Sequence, residues 1–236
     1  MDKESKYYGV HACLAVWKER PKDIIRVYAH PGKIKAVSSL LKWCAKEKKA
    51  YHILEDNELE KLTDSVHHEG ICLLAKDPPH PTLQKCFSED LLLFLAGVGN
   101  PHNVGSILRT CAHFGIHYLL GDIRLTPSAK RVAIGGAEKV GVITTHSPID
   151  TLQKLKAKGF SLIAASSDTG TSLYSFSFPK QSVLLLGSES DGLTPDILSL
   201  TTHRITIPGT KKVESLNVSV AAALFLGEHF RQKGGI

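Results

Sequence analysis

Two apolar runs of β type, residues 183–186 and 205–207, each break at the carboxyl end into a turn rich in Gly, Ser or Pro. A third corner follows at Ser215, Leu216 and Asn217, opening an almost uniformly apolar run over 218–226. Three such corners in one stretch predict a ligand pocket, because α/β sheets bind small molecules in crevices beyond the carboxyl ends of their strands. The 218–226 run is hydrophobic on every side, which predicts a buried helix, in the core or across a subunit interface. Glu228, His229, Arg231 and Lys233 put mostly basic residues at its negative terminus, and Gly234 with Gly235 stops it.

From the start of the chain, the pattern predicts a helix over 10–18, a strand over 24–29 and a helix over 33–49 with Ile34, Val37, Leu40, Leu41 and Cys44 on one face. A strand over 51–54, a short helix over 56–62 and a strand over 71–75 complete a small α/β module. The other face of the 33–49 helix carries Lys35, Lys42, Lys46, Lys48 and Lys49, readable as a solvated face or as a phosphate-contacting surface. Three prolines between Asp77 and Pro81 forbid helix and sheet alike. The boundary placed here divides the chain into domains 1–78 and 88–236.

The second domain opens with a continuous apolar strand over 91–98, the kind covered on both faces in a parallel sheet. The loop that follows fails the dinucleotide fingerprint, since G-x-G-x-x-G needs glycine where His102 stands, and no P-loop lysine appears. A nicotinamide-type oxidoreductase is disfavoured. Asn103 reads as the N-cap of a helix over 104–113. Arg109 on that helix has apolar neighbours, Ile107, Leu108 and Cys111, and is either a charge at the helix edge or a residue held in a site. Strands over 118–121, 140–144 and 162–166 follow, with a loop carrying Arg124, Lys130 and Arg131 and a Lys-rich helix over 148–158.

Composition narrows the class. At 236 residues and 42% hydrophobic content the chain reads as one large or two small globular domains. With no run of about 18 apolar residues and a polar start, MDKESKYYG, a soluble cytoplasmic protein is expected. The five cysteines, Cys13, Cys44, Cys72, Cys86 and Cys111, lack C-x-x-C spacing and paired histidines, so reduced thiols and no metal are expected. The net charge of +6 points to an anionic partner, nucleic acid first.

Three segments then carry a resemblance. Asn103-Val-Gly-Ser-Ile-Leu-Arg109, Leu185-Leu-Gly187-Ser-Glu189-Ser-Asp-Gly192, and Ile207-Pro-Gly209 with Ser215-Leu-Asn217-Val-Ser219 resemble, in order, the three motifs of the SpoU (TrmH-like) branch of the SPOUT superfamily. These are RNA ribose 2′-O-methyltransferases that use S-adenosylmethionine. Tyr8-Gly-Val-His11 and His68-Glu-Gly-Ile71 resemble the edges of the small substrate-binding domain that some members carry, which favours ribosomal RNA over tRNA as target and guanosine as nucleotide. The chain departs from the commonest pattern at Ser106 and at Ser190-Asp191.

The resemblance implies an α/β fold: a C-terminal parallel-sheet domain with a trefoil knot, preceded by a small α/β substrate-binding domain. It implies a homodimer paired through the knotted domain, with Phe225 and Leu226 nearest the contact. Gly187, Ile207 and Leu216 are the implied cofactor residues. Arg109 is the implied activator of the ribose hydroxyl, as base or as orienting cation, with Asn103 and Glu189 steadying it or the substrate, and Ser215 and Asn217 shaping the transfer corner. Read singly, Asn103 and Ser215 are helix caps, Glu189 a loop acid, and Ile207 and Leu216 core residues. A noncatalytic RNA-binding protein of this fold is the alternative.

Overall fold

The computed structural model describes residues 4–234. Its first sheet, in the order β1-β4-β2-β3, is made from β1 (Glu4–Tyr8), β2 (Ile24–Ala29), β3 (Ala50–Ile53) and β4 (Ile71–Lys76). β4 runs antiparallel to both its neighbours, and β2 and β3 are parallel. Helices α1 (Val10–Glu19) and α2 (Ser38–Lys46) cover one face, packing Cys13, Val16, Leu40 and Cys44 on Tyr7, Val27, Ala29 and Leu73. Helix α3 (Asp56–Thr63) covers only part of the other face, with Leu59 against Tyr8 and Cys72.

Two expectations fail in this domain. The polar start of the chain gave no sign of β1, which exists because it pairs along its whole length with β4. The helix expected over 33–49 begins only at Ser38: Pro31–Lys33 is a 3₁₀ turn, held by His30 Nδ1 accepting from Gly32 N at 3.0 Å. Ile34 consequently lies outside the core, 40% exposed, whereas Val37, Leu40, Leu41 and Cys44 are buried as the spacing predicts.

The second sheet has seven strands in the order β7-β6-β5-β10-β8-β11-β9. They are β5 (Leu91–Ala96), β6 (Tyr118–Gly121), β7 (Gly141–Thr144), β8 (Ser161–Ser166), β9 (Thr171–Ser172), β10 (Ser182–Gly187) and β11 (His203–Thr206), paired in parallel throughout. On one face lie α4 (Pro101–His113), α5 (Pro127–Val132) and α8 (Val218–Gln232); on the other lie α6 (Pro148–Ala157) and α7 (Pro195–Leu200). Leu93 and Leu95 point into the first layer, Leu92 and Phe94 into the second, and all are fully buried. Each such side chain contributes about 1.5–3 kcal/mol through removal from water, so the apolar runs of β5 and β10 form the stiff centre of the fold.

Helix α8 departs from the all-round burial that its composition predicts. Val218, Ala222, Phe225 and Leu226 enter the chain's own core, while Val220 (48%), Leu224 (37%) and Phe230 (38%) are exposed along a stripe. Phe225 and Leu226 are therefore core residues, and the apolar surface available to another subunit is the Val220, Leu224 and Phe230 stripe. The helix ends at Gln232 before Gly234; Gly235 lies outside the described residues. Lys130 and Arg131, expected in a loop, stand on α5.

A buried ionic cluster joins the two sheets. Arg20, just past α1, donates through Nε to Glu138 (2.5 Å), and through its terminal nitrogens to Asp23 (3.0 Å), the Lys76 carbonyl (2.8 Å) and the Tyr7 hydroxyl (2.7 Å). Lys130 of α5 stands 4.0 Å from the centre of the Tyr7 ring and 3.7 Å from Asp77. Burial opposes the Arg20 charge, yet the Glu138 carboxylate outweighs it and raises its pKa. Burial lowers the Lys130 pKa and raises that of Tyr7.

Candidate active site

Strands β5 and β10 are neighbours at the sheet centre, and the chain leaves β5 toward β6 and β7 on one side while β8, β11 and β9 lie on the other. Crevices at such reversals of strand order are where open α/β sheets take ligands. Three segments meet there. Asn103 comes from the first turn of α4, Glu189 from the loop after β10, and Asn217 from the residue preceding α8.

Hydrogen bonds tie the three together. Glu189 Oε1 accepts from Asn103 Nδ2 (3.1 Å), Asn217 Nδ2 (2.6 Å) and the Val218 backbone N–H (3.3 Å), and Asn217 Nδ2 also donates to Asn103 Oδ1 (3.0 Å). Asn217 Oδ1 accepts from Ser219 N at 2.9 Å and Val220 N at 3.4 Å, so the same side chain caps α8. The corner is thus braced by one carboxylate oxygen and one helix start. Asn103 is not the cap of α4; Asn100 is, accepting from His102 N at 2.9 Å, which frees the Asn103 amide for the corner. Ser215 does not cap α8 either: it is exposed and makes no side-chain hydrogen bond among the described residues.

Gly187 ends β10 where the loop doubles back and Gly192 N donates to the Ser188 carbonyl at 3.1 Å. A Cβ at Gly187 would collide with the Gly192 backbone, so this glycine is required by the loop's own fold. Ile207 lies just past β11, partly buried against the core, and Leu216 is 43% exposed. Both lie in the segment between β11 and α8.

Arg109 stands apart from this corner. It is exposed on α4 and has no ion pair or hydrogen bond among the described residues; Glu189 is engaged with the two asparagines instead. Arg109 lines a groove of about 660 Å³ with Lys18 and Glu19 of α1, Phe114, Lys139 and Ala223 of α8. Glu19 is bound to Lys139 at 2.6 Å, so the groove keeps a positive balance. Sequence reasoning missed two of its determinants. Gly136 lets the turn before Lys139 press against α4, where a Cβ would stand 3.0 Å from the Arg109 Cα. Lys18 belongs to the first domain and reaches Arg109 only through the docking of the two sheets, which no local pattern encodes.

The described residues contain no group of three or more His, Cys, Asp or Glu that could hold a metal, and no helix long and apolar enough to cross a membrane. All five cysteines are free and buried, and burial pushes their thiols up, Cys86 to about 11 and Cys72 and Cys111 to about 12. None is poised as a nucleophile.

Comparison with known proteins assigns the architecture. Residues 90–227 match the SpoU rRNA Methylase family, and residues 7–81 match the RNA 2'-O ribose methyltransferase substrate binding family. The chain belongs to the SpoU rRNA methylase family. It is 36% identical, over 97% of its length, to the uncharacterized tRNA/rRNA methyltransferase YfiF of Escherichia coli O157:H7, and spans 68% of that relative. It spans 66% of a second relative, from Haemophilus influenzae. A third, the 23S rRNA (guanosine-2'-O-)-methyltransferase RlmB of Neisseria meningitidis serogroup B, is 30% identical over 99% of this chain and 97% of its own. The crystal structure of the SpoU methyltransferase AviRb from Streptomyces viridochromogenes in complex with AdoMet shares the fold, with a TM-score of 0.82 at 20% identity over 99% of this chain and 92% of that one.

Proposed function

We propose that this protein transfers the methyl group of S-adenosylmethionine to a ribose 2′-hydroxyl of RNA, with guanosine in ribosomal RNA the favoured target. The observation that carries this reading is the Asn103, Glu189 and Asn217 corner, in which three distant segments converge on one carboxylate oxygen at the end of β10. The Neisseria relative's name supports the ribosomal target, and the substrate-binding match at residues 7–81 supports an RNA-handling first domain.

The chemistry of the corner suits the cofactor. Leu216 and Ile207 present apolar surface for an adenine, and the tight loop begun at Gly187 offers backbone groups rather than charged side chains. When bound, S-adenosylmethionine supplies an electrophilic methyl group. The chain's own part is to hold the ribose oxygen and stabilise the charge that develops on it. Arg109 is assigned that role: the planar fork of donors on its guanidinium can address a hydroxyl and an adjacent phosphate together. Asn103, Glu189 and Asn217 fix the loop that frames the transfer, and Ser215 lies free on that loop to meet substrate.

The same reading divides the chain into a substrate domain, 1–78, and a methyltransferase domain, 88–236, with a trefoil knot formed by the loops around the corner, in a cytoplasmic protein. It pairs two copies through the Val220, Leu224 and Phe230 stripe of α8, beside the Arg109 groove, so Leu224→Glu should yield a monomer with impaired transfer. The decisive assay supplies tritiated S-adenosylmethionine and total RNA from a strain lacking the gene. Label in 2′-O-methylguanosine of ribosomal RNA is expected. Label confined to tRNA would move the target, and cofactor binding without label in any RNA would leave a noncatalytic RNA-binding protein.

A further inference from the structure

The face of the first sheet that α3 covers only in part carries a pattern that the active-site reading does not use. Along β2, Val27 and Ala29 turn into the core, so Arg26 and Tyr28 turn outward. Register places Lys6 of β1, Leu74 of β4 and Arg26 of β2 in one row, and Tyr28 beside His52 of β3 in the next. The Tyr28 and His52 rings stack, with centroids 5.6 Å apart and planes 23° from parallel. Arg26 donates to the Tyr28 hydroxyl at 3.4 Å. Lys6, Arg26 and His52 are exposed, and Leu74 and Tyr28 partly so; Lys6 Nζ donates to the Leu62 carbonyl of α3 at 2.7 Å and Tyr28 packs beside Leu59, so Arg26 and His52 are the open members of the pattern.

From this juxtaposition we infer that the half-open face of the first sheet, around Arg26 and His52, is a stacking platform for an unpaired segment of RNA. The occupant is RNA on the proposed function; the face and the mode of contact follow from the geometry. A base stacks on the open side of the His52 ring and extends the existing pair, while Arg26, beside the apolar Leu74, meets a phosphate. Stacking on aromatic side chains beside cations is how sheets hold single strands, and paired bases are already stacked on one another. A cavity of the same domain, about 310 Å³, suits phosphate less: Asp56, Glu60 and Glu69 line it against His30 and Lys33.

The test uses the full chain, a fluorescein-labelled single-stranded oligoribonucleotide and its blunt duplex, read by anisotropy across a salt series. The wild type should prefer the single strand. Arg26→Gln should flatten the slope of log affinity against log salt by about 0.7, the value for one lost phosphate contact on a single strand. His52→Ala should weaken binding by about tenfold with an unchanged salt slope, the signature of lost stacking. Tyr28→Phe keeps the ring and should bind like the wild type. Far-ultraviolet circular dichroism and urea midpoints, unchanged in all three, show that each variant is folded in both domains. Equal affinity of the wild type for strand and duplex would overturn the inference, as would wild-type binding by both Arg26→Gln and His52→Ala. A loss seen only on replacing Lys35, Lys42 and Lys46 would overturn it too, placing the contact on α2 and the turn before it, behind the sheet. An edge used by a peptide strand predicts no oligonucleotide binding at all. If methyl transfer proceeds while the two variants bind the strand normally, this inference alone fails. If no RNA is methylated while the variants behave as stated, the platform stands and the enzymatic reading fails.

Discussion

The two sheets of this protein solve opposite problems. The seven-stranded sheet is parallel and covered on both faces, so its strands are continuous apolar runs and its centre is dry. The four-stranded sheet is mixed, covered fully on one face and partly on the other, and its edge strand β3 is exposed at every residue. Rigidity at the strand ends of the first is what a three-segment corner needs to keep its geometry. Surface on the second is what an extended polymer needs for contact.

The contact between the sheets offers the largest effect. Arg20→Ala would leave Glu138, whose side chain is 5% exposed, without its partner, and removing one member of a buried pair costs about 3–5 kcal/mol. The urea midpoint should fall accordingly, and Arg20→Lys should recover little of it, because a single ammonium cannot span Glu138, Asp23 and the Tyr7 hydroxyl. A midpoint within error of wild type would show that the sheets do not depend on this joint.

The sheets themselves are compared by a pair of truncations. Leu93→Ala, at the centre of β5, should cost about 2–5 kcal/mol through lost burial and the cavity left behind. Ile53→Ala, 43% exposed on β3, should stay within about 0.5 kcal/mol. Similar losses at both positions would mean that β3 is covered in solution.

Function is split by Arg109→Ala. It should lower methyl transfer by about 100-fold or more, the scale for losing one group that stabilises developing charge, while S-adenosylmethionine affinity measured by calorimetry stays close to wild type. Arg109→Lys should restore little. Near-normal turnover in Arg109→Ala would remove it from the catalytic role.

The smallest expected effect is on pH. His229 of α8 is buried with Nε2 unpartnered, edge-on to Phe178 and near Lys233 and Asp90; burial, then Lys233, lowers its pKa. The unfolded chain therefore binds a proton at this position before the folded one does. The stability it contributes is present above the ordinary histidine pKa of about 6.5 and is lost as pH falls below it. Melting temperatures between pH 7 and pH 5 should decline less in His229→Phe than in wild type, and identical declines would assign the acid sensitivity elsewhere.

Legibility followed the same division. In the covered sheet, β5 and β10 could be read from composition because burial on both faces requires uninterrupted Leu, Val and Phe, and β6 was read residue for residue. In the half-open sheet, β1 was missed since Glu4, Ser5 and Lys6 become a strand only through pairing with β4. The motif residues Asn103, Glu189 and Asn217 could be picked out, yet their mutual bonds could not, because Asn103 looks locally like a helix cap and Glu189 like a loop acid, and the three lie far apart in sequence. Phe225 and Leu226 were indistinguishable in sequence from Val220 and Leu224, since a helix apolar all round does not say which side faces its own sheet. Lys18 and Glu138 carried no local signal at all, because their importance comes from the docking of one sheet on the other.

The bond from Asn217 to Asn103 closes a separation of 114 residues. Closing so long a loop carries an entropic cost that only a nearly complete core can offset, so contacts of this range form late. The corner is therefore absent from a chain still emerging from synthesis until α8 has been made and has docked. An incomplete or partly unfolded copy can hold its first domain against RNA and yet be unable to modify it, and the return of cofactor binding after dilution from denaturant times the last step of folding rather than the first.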